Sequence, residues 1–160
     1  MPEDNPPPVH APHDKFFKET FSRPEVAREF FQTYLPSRLA AALDWRTLRV
    51  EPGTFVDERL TARHSDLLYS VQVAGQPVLL YCLFEHQSTV DPDLPFRLLV
   101  YMVRIWEQWR KQAGPGVKAP AILPLVLYQG VQAWSVSRRF AAFRRLAGAA
   151  GGVGGGVKAL

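Results

Sequence analysis

The stretch Asp66-Leu67-Leu68-Tyr69-Ser70-Val71-Gln72-Val73-Ala74-Gly75-Gln76-Pro77-Val78-Leu79-Leu80-Tyr81-Cys82-Leu83-Phe84-Glu85-His86-Gln87 decides the fold. Two runs rich in Val, Leu, Tyr and Phe flank a short break, the pattern of two strands joined by a turn. Ala74-Gly75-Gln76 supplies the turn, so 66–73 and 77–87 are expected to form an antiparallel hairpin. Centring the turn between Gly75 and Gln76 sets Asp66 opposite Glu85. Directly opposed residues share a face, with Cβ atoms about 4.5–5.5 Å apart. Gln87 lies two residues beyond Glu85 and shares that face. His64 opposes Gln87 if the strand reaches back that far. One hairpin thus gathers Asp66, Glu85 and Gln87 at the end far from its turn. Cys82 falls on the other face and is expected in the core.

Upstream, residues 13–35 read as helical. Phe16, Phe17 and Phe21 fall at helical spacing, followed by Val26, Phe30, Phe31 and Tyr34. Ser22-Arg23-Pro24-Glu25 fits a capping box with proline in the first turn, which predicts a break near Ser22 and a second helix. Residues 37–43 add a turn, 46–50 form a short strand, and Glu51-Pro52-Gly53 is a turn signal. Residues 55–62 are ambiguous. Downstream, Asp91-Pro92-Asp93 leads into a helix over 95–112. It is apolar on most of its circumference, so it is expected to be largely buried. Gly114-Pro115-Gly116 stops it. Residues 121–128 form an apolar run bounded by turn residues, consistent with a buried strand. The order helix, strand, strand, strand, helix, strand predicts an α/β fold, a mixed central sheet flanked by helices. The last strand follows a helical crossover and is expected to pair in parallel with an earlier one.

The chain has 160 residues, 47% hydrophobic and 21% charged, which predicts one globular domain with a real core. A single cysteine excludes an internal disulfide framework and a Cys-rich zinc site. No targeting signal is visible in the Pro-rich residues 1–12. The longest apolar helical stretch, 94–109, is interrupted by Arg97, Arg104 and Glu107, too short and too charged for a membrane span. A cytoplasmic protein without a membrane partner is expected. All 15 acids lie in residues 1–107, whereas 108–160 carry eight of the 19 Lys and Arg. Such asymmetry suggests an anionic partner, nucleic acid or membrane surface. Six of the 11 glycines lie between Gly148 and Gly156. We therefore expect a disordered lead-in over 1–12, a core domain over 13–140 and a Gly-rich basic tail over 141–160, disordered or a remnant of truncation.

Two carboxylates as close as Asp66 and Glu85 repel unless a cation sits between them or one is protonated. Mg2+ suits a few carboxylate oxygens together with waters and a substrate phosphate. It polarises a phosphoryl group and lowers the pKa of water. The alternative reading makes Asp66 only the entry of one strand and Glu85-His86-Gln87 only the solvated end of the next.

Several segments in order resemble the recombination-promoting nuclease (Rpn) family, also labelled transposases of the YhgA-like type. They are His13-Asp14-Lys15-Phe16-Phe17-Lys18, Ala62-Arg63-His64-Ser65-Asp66-Leu67-Leu68-Tyr69 and Leu83-Phe84-Glu85-His86-Gln87-Ser88. Pro95-Phe96-Arg97-Leu98-Leu99-Val100-Tyr101-Met102 and Leu123-Pro124-Leu125-Val126-Leu127-Tyr128-Gln129-Gly130 continue the match, with Trp134 just after. That family belongs to the PD-(D/E)XK nuclease superfamily, whose restriction-endonuclease-like core has the element order read above. The resemblance implies a metal-dependent DNA endonuclease, with Asp66 and Glu85 as ligands of Mg2+ or another divalent cation. A lysine is usual in the superfamily two residues after the Glu. Here Gln87 stands there, as the resemblance suggests is usual in this subfamily. It can hydrogen-bond a water but brings no charge. Lys15, Lys18 and Arg97 are candidates to supply that charge.

The resemblance also implies an acid from the first helix, Asp14 or Glu19. Either acid can equally serve only to favour the helix N-terminus. Arg97, Tyr101 and Arg104 form one stripe on an otherwise apolar helix. They support the site or contact phosphate, or are the polar edge of a buried helix. His64 and His86 read as ligands, general bases or ordinary polar residues. Trp106 and Trp109 read as core. DNA is the expected partner, and a homodimer remains open beside a monomer. A non-catalytic DNA-binding or assembly module, with steep salt dependence, and an inactive truncated family member are the alternatives to the endonuclease. Relatives of this type continue past this length, and the match fades after about Phe140.

Overall fold

The computed structural model describes residues 11–53, 65–85, 91–128, 133–135 and 158–159, with side chains at 15–53, 66–84, 91–128 and 133–135. Residues 55–62, His64, His86 and Gln87 lie outside them, as do 1–10 and most of 136–160.

The first helical stretch divides as its sequence predicts, into α1 (Ala11–Phe21) and α2 (Pro24–Tyr34). The capping box does not form. The residue before a proline is pushed towards extended backbone, and Arg23 takes it, with φ −89° and ψ 113°. Arg23 therefore becomes the N-cap, and its Nε donates to Glu25 Oε1 at 3.2 Å. Leu35-Pro36 ends α2, and α3 (Ser37–Ala42) adds the expected short turn of helix.

Four strands follow: β1 (Asp44–Val50), β2 (Ser65–Val73), β3 (Gln76–Glu85) and β4 (Ala121–Tyr128). A two-residue strand, β5 (Lys158–Ala159), pairs antiparallel with β4, giving the order β1-β2-β3-β4-β5. The long helix α4 (Leu94–Ala113) crosses from β3 to β4, which pair in parallel. The result is the expected mixed α/β sheet with flanking helices, consistent with a restriction-endonuclease-like core.

The hairpin register differs from the one read in the sequence. Val73 pairs with Gln76, so the turn is Ala74-Gly75, both at positive φ (48° and 76°). Asp66 then faces Leu83, not Glu85. The slip is two residues, so face assignments survive. Position 85 stays on the face of Asp66, diagonal to it rather than opposite.

Each face of the sheet has its own apolar layer. Tyr69, Val71, Leu80, Cys82, Leu125 and Leu127 pack with Phe17 of α1 and with Ala27 and Phe31 of α2. Leu68, Leu79, Tyr81, Leu83 and Val126 pack with Leu94, Leu98, Tyr101 and Ile105 of α4. Cys82 is fully buried, as expected. Helix α4 is less enclosed than its composition suggests. It lies on one face only, and Phe96, Leu99 and Val103 are 53%, 41% and 43% exposed. Trp106 and Trp109 are half-buried: Trp106 Nε1 donates to the Pro120 carbonyl at 2.8 Å, and Trp109 packs on the α4-side layer.

Candidate active site

Strand β2 begins with a polar pair, Ser65-Asp66, before its apolar run, and the pleat puts Asp66 on the α4 face with Leu68. Asp66 is 6% exposed, the one buried charged residue among those described. Tyr81 pairs with Leu68 and so stands diagonal to Asp66. Its hydroxyl donates to Asp66 Oδ2 at 3.1 Å. Tyr101 of α4 meets the Tyr81 ring edge-on, centroids 6.1 Å apart, which fixes that hydroxyl from behind. The other carboxylate oxygen, Oδ1, is buried and accepts no hydrogen bond from any described residue.

Electrostatics follow from this enclosure. Burial pushes the Asp66 carboxyl above its ordinary value, while the Tyr81 hydrogen bond and the charge of Lys18 pull the other way. Burial and the adjacent carboxylate push the Tyr81 hydroxyl far above the tyrosine range, so it stays a donor. Beside Asp66 opens a cleft of about 180 Å3, walled by Lys18 of α1 and Ser22 just after it, by Glu51, Pro52 and Gly53 after β1, and by Leu67 and Leu68.

The structure sorts the sequence candidates. Position 85 ends β3, diagonal to Asp66; Gln87, His64 and His86 lie outside the described residues. Asp14 belongs to α1, with its side chain not among those described. Glu19 faces solvent, 65% exposed, and pairs with Lys15 at 3.7 Å, so neither reaches the cleft. Arg97 pairs with Asp91 at 3.0 Å. Lys18 lines the cleft. From the Arg97–Tyr101–Arg104 stripe, Tyr101 connects to Asp66 through Tyr81. Sequence reasoning missed Tyr81 and Glu51. Tyr81 reads as one more aromatic strand residue until the register is known. Glu51 reads as part of a turn, yet its N–H donates to the Leu68 carbonyl at 2.8 Å and carries the β1–β2 pairing one residue further.

A buried carboxylate oxygen without a partner carries a desolvation penalty that a hard cation would offset. Asp66 fits such an ion by this test. Among the described residues no three His, Cys, Asp or Glu side chains form a ready cage.

The profile of a family described as "Putative transposase, YhgA-like" matches residues 11–147. Recombination-promoting nuclease RpnC of Escherichia coli K12 is 37% identical over 123 residues, 77% of this chain and 40% of the relative. Recombination-promoting nuclease RpnA of the same strain is 35% identical over 122 residues, 76% of this chain and 41% of the relative. Inactive recombination-promoting nuclease-like protein RpnE, also of that strain, is 36% identical over 120 residues, 75% and 40%. The chain thus spans about two fifths of the length of these curated relatives. No solved structure matches it significantly. No helix among the described residues is long and apolar enough to cross a membrane. With the family profile covering most of its length, and the expected order of helices and strands in place, the chain belongs to the YhgA-like transposase family, alongside the recombination-promoting nucleases.

Proposed function

We propose that the chain carries the core of a metal-dependent DNA endonuclease of the PD-(D/E)XK type. Asp66 and Glu85 would hold Mg2+ or another divalent cation, and Gln87 would orient the water. The observation that carries this reading is Asp66 itself. It is an acid in an apolar layer, fixed through one oxygen by Tyr81, with its second oxygen lacking a partner. A bound divalent cation would supply Lewis acidity to a phosphoryl group and lower the pKa of water. The chain's own groups do the rest. Tyr81, braced by Tyr101, holds the Asp66 carboxylate in one orientation. Lys18, the cleft cation, offers the backbone phosphate the charge that Gln87 lacks.

Nicking of supercoiled plasmid with Mg2+ and with EDTA tests the reading. The parent cuts only with the metal, and Asp66→Ala and Glu85→Ala do not cut while unfolding at temperatures near the parent's. Equal cutting by both variants would refute it. A second reading, a non-cutting DNA-binding member, is favoured by two relatives with inactive in their names. They are RpnE and "Putative inactive recombination-promoting nuclease-like protein YjiP", which is 39% identical over 94 residues and matched over 91% of its own length. Salt-dependent DNA binding without cleavage under any divalent metal would select it.

A further inference from the structure

The cleft beside Asp66 has a second acid that no motif points to. Glu51 follows β1, and its N–H bond to the Leu68 carbonyl sets it opposite Leu68. Paired residues share a face, and Asp66 lies two residues from Leu68, so Glu51 and Asp66 stand diagonal on adjacent strands. Diagonal positions are about 7–8 Å apart, within reach of a glutamate side chain. Position 85 holds the mirror relation on the other side, diagonal to Asp66 across β3. Glu51 and Asp66 line the same cleft. Glu51 is half-buried there and has no ion pair with any described residue. Two acids on one cleft would not by themselves make a site. The independent sign is Asp66 Oδ1, a polar atom of a 6% exposed residue, left without a hydrogen bond where the cleft begins.

We infer that Glu51 is a further oxygen ligand of the divalent cation, placed diagonal to Asp66 on the β1 side as position 85 is on the β3 side. The inference rests on the metal-dependent reading above. Its chemistry is that of a hard cation bridging carboxylates drawn from adjacent strands, with Lys18 balancing the charge of the cleft wall. The turn Glu51-Pro52-Gly53 then has a role beyond reversing the chain. It carries the acid that directly follows β1.

Titration of the metal-free full chain with Mn2+, followed calorimetrically and by the electron paramagnetic resonance of the free ion, tests this without any cleavage assay. Glu51→Gln should weaken Mn2+ binding by about tenfold or more, on the scale of altering a metal's immediate surroundings. Glu51→Asp should keep more affinity than Glu51→Gln, and Glu19→Gln should match the parent. Loss of binding in Asp66→Ala with parental binding in Glu51→Gln would overturn the Glu51 ligand and leave the proposed function standing. Parental binding in both variants would overturn both. Equal loss in Glu51→Gln and Glu51→Asp, with a lowered unfolding temperature in each, would assign the effect to packing and overturn the ligand role.

Discussion

Two buried tyrosines, one on each face of the sheet, have their hydroxyls in opposite situations. Tyr69 faces α1 and α2 and donates to the Phe21 carbonyl at 2.8 Å, tying the sheet to the end of α1. Tyr81 faces α4 and donates to Asp66, at 3.1 Å. Both are fully buried. The Tyr69 bond satisfies a helix-end carbonyl with a neutral donor. The Tyr81 bond holds one oxygen of a carboxylate and leaves the other without a partner. A buried oxygen left so carries a desolvation cost that a merely filled core would not need. Hydrogen bonding of the same kind thus builds structure on one face and holds an unsatisfied acid ready on the other.

The widest separation is expected between Tyr81→Phe and Tyr69→Phe. Each should lower stability by about 1–3 kcal/mol, the effect of leaving one buried acceptor unpaired, read by thermal unfolding. Only Tyr81→Phe should also weaken divalent-cation binding, by about 10–100-fold, as loss of an orienting partner does. If both variants bind Mn2+ equally well, the two tyrosines are alike and the comparison collapses.

Asp66→Asn sharpens the same contrast through pH. Burial raises the Asp66 carboxyl above its ordinary 3.8, so the folded state keeps a proton where the unfolded chain has lost it. Stability from this group therefore falls as pH rises from 3.8 through the raised folded value. Above that window Asp66→Asn should be more stable than the parent without metal, and the gap should close towards pH 4. Mg2+ should stabilise the parent and leave the variant unchanged. Chemical denaturation at several pH values, with and without Mg2+, reads both effects. A variant less stable than the parent at pH 8 would make Asp66 a structural residue.

The smallest effect belongs to the acid that the first helix sets in solvent. Glu19→Ala removes an exposed i,i+4 pair with Lys15 and should cost about 0.3–0.5 kcal/mol, with plasmid nicking unchanged. A large loss of cutting would put Glu19 in the site after all.

Much of this arrangement is legible in the residues themselves. Runs rich in Val, Leu, Tyr and Phe give β2 and β3, a bounded apolar run gives β4, helical spacing of phenylalanines gives α1 and α2, and Pro24 marks their boundary. The register was not legible, for a local reason. Ala74 adopts a positive φ that residues with a Cβ seldom take, so the sequence draws the turn one residue downstream, onto Gly75 and Gln76. Because the pleat repeats every two residues, the resulting slip of two kept Asp66 and position 85 on one face but hid the Tyr81–Asp66 bond. Glu51 was hidden by its neighbours, since Pro52-Gly53 reads as a turn and draws attention from the acid before it. The surface of α4 shows the limit of composition, because a helix resting on a sheet buries one side however apolar the other is.

The Asp66 carboxyl carbon, followed by NMR through a pH titration of the full chain with and without Mg2+, tests the account most directly. We expect a pKa above the usual aspartate range in the metal-free protein, falling sharply when Mg2+ is added. An ordinary pKa that Mg2+ leaves in place would contradict it.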